Sequence, residues 1–227
     1  MTRGGVRLGV FGGTFDPIHV GHLDCAAAAR HALALDEILF VPSHVPPHRS
    51  ADPRGTMFHR FAMVALAVDS LPAARASDVE LLRTGTSYTY ETLASLHAGG
   101  WAPSQLFFIL GTDAFAEIAQ WREFDRVVEG TNLAVVGRTG TSLESALART
   151  PLRPRVRALD QAREPSAATG VYLIEAATRD VSSTHIRAEL AAGRSIAQLV
   201  PEGVERHIIR HGLYGAVDRL HGDTQVS

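Results

Sequence analysis

Short apolar runs alternate with longer amphipathic stretches along this chain. Runs of this kind, bounded by turn residues, are typical of buried β-strands. They predict strands over 6–11, 37–41, 105–110, 133–137 and 171–175, with a weaker one over 76–82. The stretches between them carry apolar residues at helical spacing and predict helices over 21–34, 56–71, 87–98, 113–119, 142–148, 183–192 and 201–211. Strands that alternate with helices form βαβ units, which place the strands parallel in one sheet.

The predicted fold class is therefore α/β: a Rossmann-like, doubly wound parallel sheet of about five strands, with a C-terminal helical portion over about 183–215. We expect a single domain over 1–215 and a polar, frayed tail over 216–227. Ligands of such sheets bind at the carboxyl ends of the strands, near the point where the strand order reverses. The loops that follow the strands should therefore share one face of the molecule.

The composition is that of a globular protein without a dominant charge. Hydrophobic residues make up 45% and charged residues 20% of the 227 residues, and the formal net charge is -2. Such a balance provides no basic field for nucleic acid or an anionic membrane, and no run approaches the ~20 apolar residues of a membrane span. The single cysteine, Cys25, cannot form an internal disulfide. It predicts a core position and a reducing, cytoplasmic compartment.

The segment between the first strand and the first helix, GGTFDPIHVGH over 12–22, concentrates groups that bind phosphate. Gly12 and Gly13 allow backbone N–H groups to approach an anion closely, and Thr14 adds a hydroxyl donor. His19 and His22 lie three residues apart at a helix start, whose N-terminus favours negative charge. The pattern predicts a polyphosphate site. It is neither a Walker loop, which needs a following Gly-Lys-Ser/Thr, nor the dinucleotide fingerprint, which needs a third glycine.

Taken singly, these parts have plainer interpretations. A glycine pair after a strand is commonly a turn, and a His-x-x-His pair commonly lies at the surface or caps a helix. The side chains also allow a metal site, in which His19, His22 and Asp24 ligate zinc or iron with a further ligand from His44 or His48. Their combination within one strand-to-helix turn favours the phosphate site.

A second candidate anion site precedes the C-terminal helices. The sequence SSTHIR over 182–187 directly follows the last predicted strand. Its serine and threonine hydroxyls can cap a helix start, and Arg187, one turn later, offers a planar fork suited to phosphate oxygens. Alone, the segment fits an ordinary serine N-cap beside a surface arginine. Paired with the first segment, it favours a phosphate site.

Together, the two segments resemble the nucleotidyltransferase superfamily that carries a His-x-Gly-His motif. Further segments are similar to bacterial nicotinate-nucleotide adenylyltransferases: PSHVPPHR over 42–49, SYTYETL over 87–93, GTD over 111–113, WREF over 121–124 and LVPEGVERHIIRHGLYG over 199–215. The resemblance runs from about residue 7 to 215 and weakens between 139 and 170.

That resemblance implies an enzyme of NAD biosynthesis that transfers AMP from ATP to nicotinate mononucleotide and releases pyrophosphate. It implies catalytic roles for His19, His22 and Arg187 and a Mg²⁺ ion bound mainly through the ATP phosphates, without a protein metal site, and it leaves a homo-oligomer open. The residues expected to contact ATP are Gly12, Gly13, Thr14, Phe15, His19, His22, Gly111, Asp113, Ser183, Thr184 and Arg187. Those expected to contact the mononucleotide are His48, Arg49, Tyr88, Thr89, Trp121 and Arg122.

Three other functions fit parts of the pattern. Another acceptor, such as nicotinamide mononucleotide, phosphopantetheine or a sugar phosphate, would use the same ATP site. A non-catalytic nucleotide-binding module would keep the fold, although the intact His19, His22 and Arg187 argue against it. A metal hydrolase would use the histidines as ligands, and the purified protein would then contain zinc or iron.

Overall fold

The computed structural model describes residues 5–46, 53–69, 71–137, 142–163 and 168–216. The strands within these residues are β1 Leu8–Gly13, β2 Glu37–Pro42, β3 Ala74–Ala76, β4 Leu106–Gly111, β5 Asn132–Gly137 and β6 Val171–Glu175. They pair in parallel to form one sheet in the order β3-β2-β1-β4-β5-β6.

Helices cover both faces of this sheet. The α-helices are α1 Val20–Leu33, α2 Met57–Val68, α3 Thr89–Ala98, α4 Thr112–Ala116, α5 Phe124–Gly130, α6 Leu143–Ala148, α7 Ser183–Ala191 and α8 Glu202–Arg210. Short 3₁₀ helices lie at Pro103–Gln105, Ile118–Gln120, Arg153–Arg155, Leu159–Arg163 and Leu213–Gly215.

Two apolar clusters, one on each face of the sheet, form the core. On one face Phe11 and Phe40 belong to a cluster with buried residues of α1, α2, α7 and α8. On the other face Val10 and Phe108 belong to a cluster with residues of α3, α4, α5 and α6. Because both faces are covered, the central strands are apolar at successive positions. Cys25 lies buried in the first cluster, as the sequence predicted.

The α/β class and the doubly wound parallel arrangement are confirmed, and the strand count is corrected. The described residues form six strands instead of about five, since Ala74–Ala76 pairs with β2 as a short edge strand. The predicted strand over 76–82 is wrong, because the chain turns there and the Leu82 N–H donates to the Asp78 carbonyl at 3.1 Å. The residues of this segment form a turn in which Glu80 is buried.

Helix boundaries also differ from the predictions. α3 begins at Thr89 instead of residue 87, and the helix predicted over 113–119 divides into α4 and a 3₁₀ turn. α5 was not predicted: Glu123 takes a left-handed conformation with φ 55° just before it, and only Val127 and Val128 are buried in its seven residues. So short an amphipathic stretch is a weak helical pattern.

The part of the chain that the structure describes contains no helix long and apolar enough to cross a membrane. Residues 217–227, most of the predicted tail, lie outside the described residues.

The carboxyl ends of the strands meet at one edge of the sheet. Gly13 at the end of β1 lies opposite Pro42 at the end of β2, and Gly111 at the end of β4 lies opposite Val136 of β5. The strand order reverses between β1 and β4, since β2 and β3 lie to one side and β5 and β6 to the other. Loops that leave this switch point in opposite directions leave a crevice between them.

Candidate functional site

A cavity of about 260 Å³ opens at the carboxyl ends of β1 and β4. It contains residues from both groups that the sequence predicted, the segment 12–22 (the phosphate turn) and the segments 87–93 and 121–124 (the acceptor segments). Its lining consists of Phe11, Gly12, Gly13, Thr14, Ser43, Pro46, Glu80, Ser87, Tyr88, Thr89, Phe108, Leu110, Gly111, Ala114, Trp121 and Arg122. The fold therefore joins segments more than 100 residues apart in one crevice.

The glycine turn at the end of β1 is shaped by close packing. A Cβ at Gly13 would lie 2.9 Å from the Phe15 ring, so a side chain cannot fit there without displacing that ring. Phe15 has φ 49° and its side chain is buried edge-on against Phe11, with 5.7 Å between the ring centroids. Because the Phe15 ring packs into the core, any contact of this residue with a phosphate would come from its backbone.

The two histidines of the motif, His19 and His22, contact each other at the start of α1. Their rings stack at 3.7 Å between centroids, and His19 is 2% exposed. The His19 N–H donates to Nδ1 of His22 at 3.2 Å, which closes the N-terminal turn of the helix. Since Nδ1 of His22 accepts a hydrogen bond, the proton of its neutral ring lies on Nε2. Nε2 of His22 is thereby prepared as a donor.

The start of α7 lies directly against this motif. Ser183 Oγ donates to the Pro17 carbonyl at 2.9 Å, and Arg187 Nη1 donates to the Asp16 carbonyl at 2.7 Å. The Arg187 Nη2 group also donates to Thr184 Oγ1 at 3.1 Å. The N-termini of α1 and α7 thus lie near one another, although they are separated by more than 150 residues of sequence.

Asp16 is a buried carboxylate that connects several segments of the site, and the sequence did not predict this role. It is 1% exposed, and its carboxylate accepts hydrogen bonds from the backbone N–H groups of Arg54 and Gly55, both at 2.9 Å. The Tyr214 hydroxyl donates to the same carboxylate at 2.8 Å, and Arg187 lies 3.8 Å from it. Burial, and then the Asp16 charge, raise the pKa of Tyr214 well above its usual value. The C-terminal segment is therefore fastened to the phosphate turn.

Arg60 is a second buried polar group that the sequence reasoning missed. It is 1% exposed, and its guanidinium donates to three backbone carbonyls: Gly55 at 3.2 Å, Thr14 at 2.8 Å and His44 at 3.0 Å. These bonds connect the phosphate turn to the loop after β2. A charged residue on the apolar side of the predicted helix over 56–71 was the feature that could have revealed it.

The far end of the cavity is built by the start of α3 and the segment after the 3₁₀ turn at 118–120. Thr89 is the first residue of α3, so the positive end of that helix lies at the cavity wall. Trp121 packs edge-on against Phe108, with 5.9 Å between centroids, and also lines the cavity. The Arg122 guanidinium lies 4.8 Å from the centroid of the Tyr88 ring.

Glu80 is a buried carboxyl in the same wall. It is 7% exposed, and Thr92 Oγ1 donates to it at 2.5 Å. Burial raises the pKa of Glu80, against hydrogen bonds from Thr92 and Ser87 that lower it. Glu80 therefore fixes the first turn of α3, and it was missed because the sequence pattern placed it in a strand.

Several predicted residues do not line the cavity, among them Phe15, His19 and His22. Gly111 lines it as the residue before α4, whereas Asp113 is exposed on that helix and does not line it. Ser183, Thr184 and Arg187 lie beside the motif and outside the cavity lining. His48 and Arg49 lie outside the described residues.

The metal interpretation of the motif lacks its ligand set among the described residues. Asp24 is held in an ion pair by Arg179, with nitrogen–oxygen distances of 2.8 and 2.6 Å, and this contact lowers the pKa of Asp24. No group of three or more His, Cys, Asp or Glu side chains in the described ranges is arranged to hold a metal ion.

Comparisons with a family profile, with relatives by sequence and with solved structures give consistent results. The cytidylyltransferase-like family profile matches residues 10–189. A probable nicotinate-nucleotide adenylyltransferase of Desulfatibacillum aliphaticivorans is 38% identical over 92% of this chain and 100% of the relative. That of Syntrophotalea carbinolica is 38% identical over 94% and 100%. The fold is similar to Plasmodium falciparum nicotinic acid mononucleotide adenylyltransferase complexed with NaAD, with a TM-score of 0.69, 19% identity, and 92% and 97% of the two chains covered.

Proposed function

Since the chain belongs to the cytidylyltransferase-like family and, within it, to the nicotinate-nucleotide adenylyltransferases, we propose that it transfers the adenylyl group of ATP to nicotinate mononucleotide. The products are nicotinate adenine dinucleotide and pyrophosphate, and the step belongs to NAD biosynthesis. The observation that carries this proposal is the cavity at the switch point of the sheet. Its lining combines the glycine turn Gly12–Thr14 with the acceptor segments at Thr89 and Trp121.

ATP binds, in this proposal, with its phosphates between the N-termini of α1 and α7. Both helix ends favour negative charge and are held against one another through Asp16 and Pro17. Gly111 and Asp113 lie at the start of α4, where they would meet the adenosine ribose. The residues assigned to the phosphates are Gly12, Gly13, Thr14, His19, His22, Ser183, Thr184 and Arg187, with Phe15 through its backbone.

The nicotinate mononucleotide occupies the other end. Its ring lies against Trp121, and its carboxylate meets the N-terminal turn of α3 at Thr89, with Tyr88 and Arg122 beside it. His48 and Arg49 are assigned to its phosphate from their sequence positions alone. A helix N-terminus stabilises an anionic ring substituent, which supports the acid over the amide acceptor.

The chemistry needs positioning more than proton transfer. An ionised phosphate oxygen of the acceptor attacks the α-phosphorus of ATP in line, a new phosphorus–oxygen bond forms, and the bond to pyrophosphate breaks. A phosphate oxygen of this kind needs no strong general base, so catalysis depends on alignment and on donors to the developing charge. His22 Nε2, oriented by the bond at Nδ1, is such a donor.

In this proposal the ATP phosphates would bring a Mg²⁺ ion, which would neutralise part of their charge. The cavity offers hydroxyl and backbone donors, and two carboxyl groups beside it are already engaged: Asp16 by Tyr214 and two backbone N–H groups, and Glu80 by Thr92. These residues fit a metal held mainly by phosphates and water, as Mg²⁺ commonly is. We also propose a reducing, cytoplasmic location, supported by the single buried cysteine.

The first test is a panel of acceptors. Pyrophosphate release is measured with ATP, Mg²⁺ and nicotinate mononucleotide, nicotinamide mononucleotide, phosphopantetheine or ribose 5-phosphate in parallel. We expect the highest kcat/KM with nicotinate mononucleotide, because its carboxylate meets the start of α3. A higher value with any other acceptor would replace the proposed substrate, and no release with any acceptor would reject the proposed activity.

Arg187 provides a second test, at the ATP end. Arg187→Lys keeps the charge and removes the planar fork, so we expect the KM for ATP to rise at least about tenfold through a lost charge-assisted hydrogen bond. Arg194→Lys is the matched control, because Arg194 is exposed and paired with Glu189 at 2.7 Å just beyond the same helix. An unchanged KM for ATP in the Arg187 variant would remove this residue from the phosphate site.

A further inference from the structure

Ser43 carries a buried hydroxyl that the proposed mechanism has not used. The residue is 8% exposed, lines the cavity, and has no hydrogen-bond partner for Oγ among the described residues. Buried hydroxyls in native proteins are almost always hydrogen-bonded. An unpaired one in the wall of a binding cavity is therefore available to a ligand.

The backbone around Ser43 places that hydroxyl at the junction of the two ends of the cavity. The Ser43 N–H donates to the Gly13 carbonyl at 2.9 Å, which ties the residue to the phosphate turn. The next N–H, of His44, donates to Ser87 Oγ at 2.8 Å, which ties it to the acceptor segment. The His44 carbonyl is held in turn by Arg60 at 3.0 Å. Ser43 is thus fixed between the two proposed substrates.

The group that must occupy this junction follows from the reaction. The α-phosphate of ATP lies at the glycine turn and the pyridine ring lies at Trp121, so the acceptor phosphate that attacks has to lie between them. A serine hydroxyl donates well to a phosphate oxygen, and a bond to a charged acceptor is stronger than one between neutral groups.

We propose that Ser43 binds the phosphate of the acceptor mononucleotide, with Oγ donating to a non-attacking oxygen and so directing the remaining oxygen at the α-phosphorus of ATP. This inference rests on the proposed function. It adds a contact at the reacting centre, on a residue that the sequence resemblance did not assign.

The experiment compares Ser43→Ala with the wild-type enzyme. The kcat/KM for nicotinate mononucleotide falls about tenfold or more, as expected for the loss of one hydrogen bond to a charged group. The KM for ATP changes less than about twofold, because the phosphate turn has its own contacts. Thermal unfolding is unchanged, since removing an unpaired buried hydroxyl breaks no internal bond. A lowered Tm would indicate a structural role and overturn the assignment.

Direct binding to the ATP-free protein, followed by Trp fluorescence or calorimetry, separates the phosphate from the rest of the ligand. Ser43→Ala weakens binding of nicotinate mononucleotide and leaves binding of the nucleoside, which has no phosphate, unchanged. Equal losses for nucleotide and nucleoside, or none for the nucleotide, would overturn the proposal.

Thr178→Val is the matched control. Thr178 is also buried, at 7% exposure, with Oγ1 unpartnered among the described residues, but it does not line the cavity. Its substitution leaves both binding measurements unchanged, and a loss equal to that of Ser43→Ala would overturn the proposal. Failure of the proposed function would be distinguishable, because the wild-type enzyme itself would then release no pyrophosphate with nicotinate mononucleotide.

Discussion

Replacement of His22 by alanine is expected to lower kcat at least about a hundredfold, because a preorganised donor to a developing oxyanion contributes ~3–4 kcal/mol to transition-state stabilisation. The geometry that supports this expectation concerns the Nε2 atom of His22. His22 Nδ1 accepts the His19 N–H at 3.2 Å, so Nε2 carries the proton of the neutral ring and can donate to the α-phosphate. Steady-state pyrophosphate release with both substrates saturating measures the effect.

His31→Ala is the control for this variant. His31 lies in the last turn of the same helix and is exposed. Its replacement tests whether the loss of any histidine from α1 lowers turnover. Circular dichroism and thermal unfolding establish that the His22 variant keeps its fold. Near-normal turnover in a folded His22→Ala enzyme would reject the catalytic role, whereas a raised KM with unchanged kcat would reduce it to ground-state binding.

Arg60→Met is expected to cause the largest loss of stability. The substitution keeps an unbranched apolar stem but leaves the carbonyls of Thr14, His44 and Gly55 without their buried donor. A buried polar group left without its hydrogen-bond partner costs about 1–3 kcal/mol, so the loss of the three bonds destabilises by about 3 kcal/mol or more. For a domain of this size, that corresponds to a Tm lowered by about 10 °C, measured by calorimetry.

The control for Arg60 is an exposed arginine of a neighbouring helix. Arg206→Met removes a surface ion pair with Glu202 in which the Arg206 side chain is 69% exposed. Such pairs contribute about 0–1 kcal/mol, so its Tm should stay within a few degrees of the wild-type value. Equal Tm values for the two variants would show that the buried bonds of Arg60 contribute no more than a surface pair.

Much of the secondary structure near the phosphate turn can be predicted from short stretches of sequence. β1 and β2 are predicted by the apolar runs Val6–Phe11 and 37–41, and α1 by the alanine-rich stretch that follows the glycines. These predictions work because the spacing of apolar residues and the choice of turn residues are properties of a few neighbouring positions. The short elements were not predictable in this way. β3 has three residues and α5 has seven, so each contains too few repeats of its apolar pattern to be distinguished from an irregular segment.

The residues of the candidate site also divide into those that the sequence predicts and those that it does not. The residue types at Gly12, His19 and His22 predict a phosphate site because their chemistry and spacing lie within one turn. Ser43 and Glu80 could not be assigned to a site from the sequence, since a buried hydroxyl or carboxyl has the same letter in the sequence as an exposed one. Their importance comes from burial in the cavity wall, which depends on chain segments far away.

By itself, the sequence determined the class of fold and the edge of the sheet at which the strands end, and it predicted two phosphate-binding segments, because periodicity, glycine freedom and helix-start chemistry are local properties. Only the tertiary structure decided that these segments meet. The contacts of Arg187 with Asp16, of Tyr214 with Asp16, and of Arg60 with the carbonyls of Thr14 and His44 join distant parts of the chain. Such contacts form when packed layers bring buried polar groups within hydrogen-bond distance, and no local pattern specifies them.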